Sequence, residues 1–385
     1  MKRIIALLLA ALLLLSLCAC THTIEPTDVT PTDPSVSDPT PSADDPTDIP
    51  TEPQPGTREF TDSLGRTVTL PTKLDKVAIS GPLAQIFCFA LCPDKLVGIA
   101  TAWDKTAEAF FDTSYYNLPI LGQLYGGKGE LNLETLLASG AQVVIDVGEP
   151  KKTAKDDLDA LQEQTGIVFV HITATTETAA DAYRKLGDLV GMTEEAEVLA
   201  KYCEQTYANI TELMSKVTKK RVLYCLGDKG CNVIAKGSFH GEILDMMAEN
   251  VAVVDSPSSK GTGNEVDMEQ ILLWNPDVIL FAPGSIYDSV KSDSAWTELD
   301  AIKNDDFYEV PFGPYNWMGF PPSVQRYLGM LWLAKLLYPE QADFKLFTEV
   351  QNYFKLFYHC ELTQAQFVDL MKNSRPSYLS SGYLR

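Results

Sequence analysis

Two glutamates, Glu134 and Glu269, stand at matched places in a repeated segment. Glu130-Leu-Asn-Leu-Glu134-Thr-Leu-Leu137 aligns with Glu265-Val-Asp-Met-Glu269-Gln-Ile-Leu272, and the match runs on through Ala141-Gln-Val-Val-Ile145 and Pro276-Asp-Val-Ile-Leu280 at a constant offset of 135 residues. Asn132 and Asp267 fall at the N-cap position of each copy, so both acids lie in a first helical turn. A carboxylate there favours the helix dipole by about 0.3–1 kcal/mol. The pair can serve that end alone, or it can present symmetric negative charge to a symmetric partner.

A second group of residues follows strands at the carboxyl edges of open sheets, where ligands bind in α/β proteins. It comprises Ser80-Gly81-Pro82, Trp103-Asp104, Tyr125, Ser238-Phe239-His240 and Tyr315-Asn316-Trp317-Met318. The aromatic rings can stack on a flat or apolar ligand, or fill a domain edge. Trp317, between Gly313-Pro314 and Gly319, reads as a loop residue and the leading ring candidate. His240 is either an axial metal ligand or a capping histidine. Gly122-Gln-Leu-Tyr-Gly-Gly127-Lys128 imitates a phosphate-binding loop, but Gly129 stands where Mg²⁺ binding needs Ser or Thr. Neither a Gly-x-Ser-x-Gly elbow nor a His-Glu-x-x-His pair occurs, and no catalytic residue is assigned. No Cys or His spacing resembles a zinc site; Cys225 and Cys231 flank a turn and can pair across a hairpin, or stay as thiols.

The elements that position these residues alternate. Strands are expected at Val77–Ser80, Leu96–Ala100, Val143–Val147, Val168–Ile172, Arg221–Leu226 and Val278–Phe281. Helices are expected after Gly81-Pro82 and over Leu133–Ala138, Ala154–Gln164, Glu242–Ala248 and Met268–Leu273. Such alternation makes a mainly parallel sheet covered by helices. Between the halves, Leu199, Cys203, Thr206, Ile210, Leu213 and Val217 keep one face of a long helix over 193–217, with its N-cap at Thr193. A helix that long, crossing between two sheets, would be a stiff strut.

Ahead of all this, Lys2-Arg3 and the apolar run Ile4–Leu17 form a secretory signal too short to span a bilayer. The run ends Leu17-Cys18-Ala19-Cys20, which resembles a bacterial lipobox with Cys20 as the lipidated residue. Residues 21–57, rich in Pro, Thr, Asp and Ser without Lys or Arg, read as a spacer that cannot bury enough surface to order itself. The net charge of −21 argues against nucleic acid as a partner, because phosphate binding needs a basic surface. The organisation is therefore signal 1–20, linker 21–57, N-terminal lobe 58–192, connecting helix 193–217 and C-terminal lobe 218–385.

From Phe60 to Pro339 the chain resembles the substrate-binding proteins of ABC importers for iron-siderophores, haem and cobalamin. The resemblance is carried by Asp62-Ser-Leu-Gly-Arg66-Thr-Val with Pro71, Asn132-Leu-Glu134, Trp274-Asn-Pro-Asp-Val-Ile279, Trp296-Thr-Glu-Leu and Ala301-Ile-Lys-Asn304. It continues in Pro322-Ser323, Gly329-Met-Leu-Trp-Leu-Ala334 and Tyr338-Pro339. It implies an α/β fold of two Rossmann-like lobes joined by a single long rigid helix, with the ligand cleft between the lobes. It implies a monomeric, non-enzymatic capture protein with no cofactor of its own, lipid-anchored at the outer face of the bacterial cell membrane and bound to the membrane only through that anchor. A small-molecule metal chelate would be the ligand and an ABC permease dimer the partner, with Glu134 and Glu269 at the positions that dock to permease arginines. Ser80, Trp103, Tyr125, Phe239, His240, Tyr315 and Trp317 become the ligand-binding candidates. Arginine is scarce in these loops, and Arg326 lies in a helical run and is read as facing away, which points to a neutral or weakly charged corrinoid or hydroxamate-type chelate. A chelatase-like envelope enzyme on the same fold, or a surface adhesin or sensor accessory protein, are the alternatives.

Overall fold

The apolar runs become strands because both of their faces are covered. The structure, a computed structural model, describes residues 56–125 and 130–375, all within one unit, Glu52–Arg385. Cys20, residues 21–55 of the spacer and Gly126–Gly129 of the phosphate-loop-like motif lie outside the described residues. Strands β1 (Thr57–Thr61) and β2 (Thr67–Pro71) form an antiparallel hairpin. Its turn is the Asp62–Arg66 motif: Asp62 Oδ1 accepts from the backbone N–H of Leu64 at 2.9 Å and of Arg66 at 3.0 Å. The Arg66 guanidinium then ties the hairpin to the body, donating to Asp62 Oδ2 at 3.0 Å and to the Phe169 carbonyl at 2.9 Å.

The first lobe is a parallel sheet of β3 (Val77–Ile79), β4 (Val143–Gly148) and β5 (Val168–Thr173). Helices α1 (Pro82–Leu91), α2 (Leu133–Ser139), α3 (Ala154–Thr165) and α4 (Ala179–Val190) connect and cover it. Leu96–Ala100 does not extend as a strand; after a 3-10 turn over Pro93–Lys95, only Leu96 and Ile99 make isolated bridges, to Val77 and Ile120. Helix α5 (Thr193–Met214) then leads away, 22 residues long and roughly 33 Å at 1.5 Å per residue. Its N-cap is Met192 without a side-chain bond, and Thr193 is the first helical residue.

The second lobe contains β6 (Arg221–Leu226), β7 (Asn232–Val233), α6 (Glu242–Met247), β8 (Glu249–Asn250), β9 (Asn264–Glu265), α7 (Met268–Trp274), β10 (Val278–Phe281) and β11 (Phe307–Glu309). The sheet runs β11-β10-β6-β7-β9, with β8 beside β6. Its centre is parallel, and β7 runs antiparallel to β6 and β9. Cys225 lies opposite Val233 in the β6–β7 register, so Cys231 is not its cross-strand partner, and the six described cysteines are free. Helices α8 (Arg326–Leu337), α9 (Leu346–Phe357) and α10 (Gln364–Leu370) close the chain. The last two do not stay with the second lobe. Helix α9 packs on α1, His359 Nε2 lies 3.1 Å from the Phe89 carbonyl, and Gln366 donates to the Ala109 carbonyl at 3.2 Å.

Strand parity sorts the core into three parts. Val144 of β4 faces an outer layer with Leu136, Leu158 and Phe169, and Leu223, Cys225, Ile279 and Phe281 of β6 and β10 face another with Ile271 and Trp296. Val143, Ile145, Val222, Tyr224, Val278 and Leu280 point the other way, into one apolar core common to both lobes. Leu199, Cys203, Ile210 and Leu213 of α5 belong to that shared core, as do Tyr327 and Leu331 of α8 and Val350 and Phe354 of α9. A close approach within it is between α4 and α5, where a Cβ on Gly187 would collide with the Cβ of Ala196. Gly187→Ala should therefore lower unfolding free energy by about 1–3 kcal/mol through overpacking. Gly81→Ala, where a Cβ meets nothing nearer than 4.0 Å, should cost far less. Equal denaturant midpoints for the two variants would remove this contact as the cause.

Candidate functional site

The carboxyl ends of β3, β4 and β5 and the loops of the second lobe face each other across a cleft. At its base, the Tyr327 hydroxyl of α8 donates to the Thr176 carbonyl of the first lobe at 2.6 Å. Two cavities open above this floor, of about 300 Å³ and about 350 Å³, within the range of small-molecule sites. The first is walled by Leu83, Phe87, Val147 and Ala174 from one lobe and by Phe239, Val324 and Tyr327 from the other. The second is more polar, with Ser80, Asp146, Glu149 and Lys151 against Phe239 and Ser259.

Asp146 is the polar residue in the otherwise apolar strand β4. Ser80 Oγ donates to its Oδ1, and His171 Nδ1 lies 2.6 Å from its Oδ2. The His171 backbone is held in turn by Asp62 Oδ2 at 3.2 Å and by the Ser63 N–H at 2.9 Å. The hairpin turn thus fixes a strand residue whose ring fixes the carboxylate at the cleft. Asp146 accepts from Ser80 through one oxygen and meets His171 through the other. Tyr125 also borders the second cavity; its hydroxyl donates to Asp157 at 2.8 Å, and burial with that bond pushes the phenol pKa up.

Ser80, Tyr125 and Phe239 are thus brought together at the cleft. The other four ring candidates pack into the protein. Trp317 is 0% exposed, with its Nε1–H on the Gly313 carbonyl at 3.2 Å and Gly329 against its backbone, so it anchors the core and offers no stacking face. Trp103 is buried among Phe89, Phe111 and Tyr315 and donates to the Tyr115 carbonyl at 2.9 Å. Tyr315 joins that cluster and accepts from Gln85 Nε2 at 3.3 Å. His240 is buried and stacks on Phe320, with ring centroids 4.7 Å apart. Among the described residues, no cluster of three or more His, Cys, Asp or Glu side chains could hold a metal ion.

Sequence reasoning missed Asp146, Glu149, Glu242 and Tyr327 and misplaced Arg326. Arg326 is buried in the cleft wall, with Nη1 on Glu242 and Nη2 donating to the Phe239 carbonyl at 2.7 Å. The signal for Asp146 was present, since a carboxylate at the carboxyl end of a buried parallel strand has no structural partner in the strand itself.

Outside the cleft, the repeat gives matched local structures. Asn132 caps α2 through the Thr135 N–H at 2.9 Å, and Asp267 caps α7 through the Gln270 N–H at 2.7 Å. Gly140 and Asn275 end both helices in the left-handed conformation, and Leu136 and Ile271 are the buried residue of each. Glu134 and Glu269 are exposed in the first turns and make no salt bridge among the described residues.

The periplasmic binding protein family matches residues 94–313. The chain is 26% identical over 330 residues to the molybdate-binding protein MolA of Haemophilus influenzae, covering 78% of this chain and 91% of that protein. An ABC transporter solute binding protein from Sulfurospirillum deleyianum superposes with a TM-score of 0.74 at 28% identity, over 82% of this chain and 99% of that one. A periplasmic solute binding protein from Veillonella parvula superposes with a TM-score of 0.69 at 24% identity, over 83% and 98%.

Burial, then the positive charge of Arg326, holds the His240 imidazole below its ordinary pKa. The folded protein therefore disfavours imidazolium relative to the unfolded chain. The contribution to stability is present above about pH 6.5 and is lost as the pH falls through the lower folded value. Between pH 7.5 and 5.5 the unfolding free energy should fall more for the wild type than for His240→Gln, and by NMR the His240 ring should be less protonated at pH 6.5 than an exposed histidine. Parallel pH profiles for the two proteins would contradict this.

Proposed function

The chain belongs to the periplasmic binding protein family, an extracytoplasmic class that serves ABC transporters, and from that premise we propose that it captures a small metal chelate in the inter-lobe cleft and hands it to a permease dimer. The observation that carries the reading is that both cavities draw their walls from both lobes, above a floor fixed by Tyr327 and Thr176. A ligand there is held by two rigid bodies at once. The walls favour a weakly charged ligand. Their acids are Asp146, Glu149 and Glu242, their cations Lys151 and Arg326, and Arg326 is committed to Glu242. An iron-siderophore of hydroxamate type, haem or a corrinoid fits that balance better than a strongly anionic catecholate. An oxyanion is the second reading, favoured by the one arginine in the wall and by the similarity to a molybdate-binding protein.

Native mass spectrometry of protein purified from its own cells tests the ligand directly. Retained mass equal to a metal chelate supports the first reading. A ligand-free protein that binds molybdate stoichiometrically would replace it with the second.

Glu134 and Glu269 fit the delivery step. They are equivalent by the repeat, exposed and unpaired among the described residues, and so keep their charge for an external cation. Glu134→Ala with Glu269→Ala should abolish uptake while leaving ligand affinity within about twofold, since surface changes away from a site leave it intact. Loss of affinity in the purified double variant would move these acids out of a docking role.

Cys20 is the proposed attachment point, with the spacer up to Gly56 as the tether between lipid and lobes, since Thr57 already pairs with Pro71 in the first hairpin. Cys20→Ala should release the protein into the medium. Continued acyl labelling of that variant would overturn the assignment.

A further inference from the structure

We infer that Phe239, held in place by Arg326, is a partition that sets the size of ligand the cleft accepts; the inference rests on the capture reading above. Five residues border both cavities: Leu83, Val147, Gly148, Glu149 and Phe239. Only Phe239 comes from the second lobe. In the second cavity the second lobe contributes Phe239 and Ser259 alone. The phenyl ring therefore stands between the two chambers.

Phe239 is not there for stability. Its ring is 37% exposed and belongs to none of the apolar cores. Yet it is restrained from two sides. The Arg326 guanidinium carbon lies 5.2 Å from the ring centroid, a cation–π distance. The same guanidinium donates through Nη2 to the Phe239 carbonyl, while Nη1 pairs with Glu242. Arg326 itself cannot shift easily, because Gly319 is packed against its side chain. On the other edge, the His240 ring meets Phe239 at 5.7 Å and is itself stacked on Phe320. An exposed aromatic ring with this many restraints is a positioned ring. Arg326 is the positioning residue, and Phe239 is the surface that a ligand meets.

The two chambers differ in lining: Glu242 and Arg326 belong to the first, Ser80, Asp146 and Lys151 to the second, and Glu149 borders both. A ligand confined to one chamber meets one environment; a longer one must pass the ring. With the ring in place the cleft selects compact chelates, which among the candidates favours a small hydroxamate-type complex over haem or a corrinoid. Without it the chambers join.

The test uses the full chain with two ferric hydroxamate probes, ferric tris(acetohydroxamate) and the larger ferric complex of a linear trihydroxamate, by isothermal titration. The wild type should prefer the smaller probe. Phe239→Ala should shift the affinity ratio at least tenfold toward the larger one, while Phe239→Leu should stay near the wild-type ratio. Arg326→Lys, which keeps the charge but loses the fork on the Phe239 carbonyl, should shift the ratio the same way with a folded circular dichroism spectrum. Equal ratios in wild type and Phe239→Ala, or no gain of the larger probe in Phe239→Ala, overturn the partition. The capture reading falls separately, if native mass spectrometry finds no retained chelate and no molybdate binding.

Discussion

Helix α5 lies in an apolar core that it shares with both sheets, with α8 and with the returning helix α9. Packing at interior density transmits displacement directly, because side chains in such a core have no free volume to absorb it. The α4–α5 contact at Gly187 leaves no room for even one methyl group, and the Tyr327–Thr176 bond crosses the cleft floor. The lobes are thus joined at their base by more than a linker. Loop-hinged closure would have to break this core, whereas a small twist along α5 would not. Selectivity must then reside in the side chains that line the cleft.

The repeat shows how the two lobes arrive at matched geometry from different sequences. What is retained is a set of local instructions: a capping side chain, an acid in the first turn, one buried residue, a left-handed end and an inner parallel strand. In both copies the acid is exposed and makes no salt bridge among the described residues. The cap already satisfies the helix start in each copy, so the dipole contribution of about 0.3–1 kcal/mol is a small reason for a carboxylate at both places.

Most of the fold was legible because its strands are covered on both faces. Arg221–Leu226 and Val278–Phe281 are found at their expected bounds, since a short apolar run bracketed by helices has few other uses. Leu96–Ala100 is also an apolar run but has only two bridging residues, and Gly98 within it weakens a strand. The site was less legible. Trp317 sits among glycines and prolines, as a loop residue would, yet Gly329 lets the backbone of α8 close over it. Arg326 begins a helix with eleven of its twelve residues buried, so no polar face exists from which to read its direction. The return of α9 and α10 to the first lobe leaves no mark in periodicity at all.

The Arg326–Glu242 pair bears on why the cleft is built as it is. Burying a guanidinium costs several kcal/mol in desolvation, and a paired carboxylate rarely returns more than that. Apolar residues of similar volume would stabilise this wall at least as well. Arg326 is buried nonetheless, is held at a charged hydrogen bond, and directs Nη2 to the backbone of the one exposed ring in the cleft. Stability does not account for that arrangement. A planar cation with two directed donors does what an apolar residue cannot: it fixes both the main chain and the ring face of Phe239 from a single, immobile point.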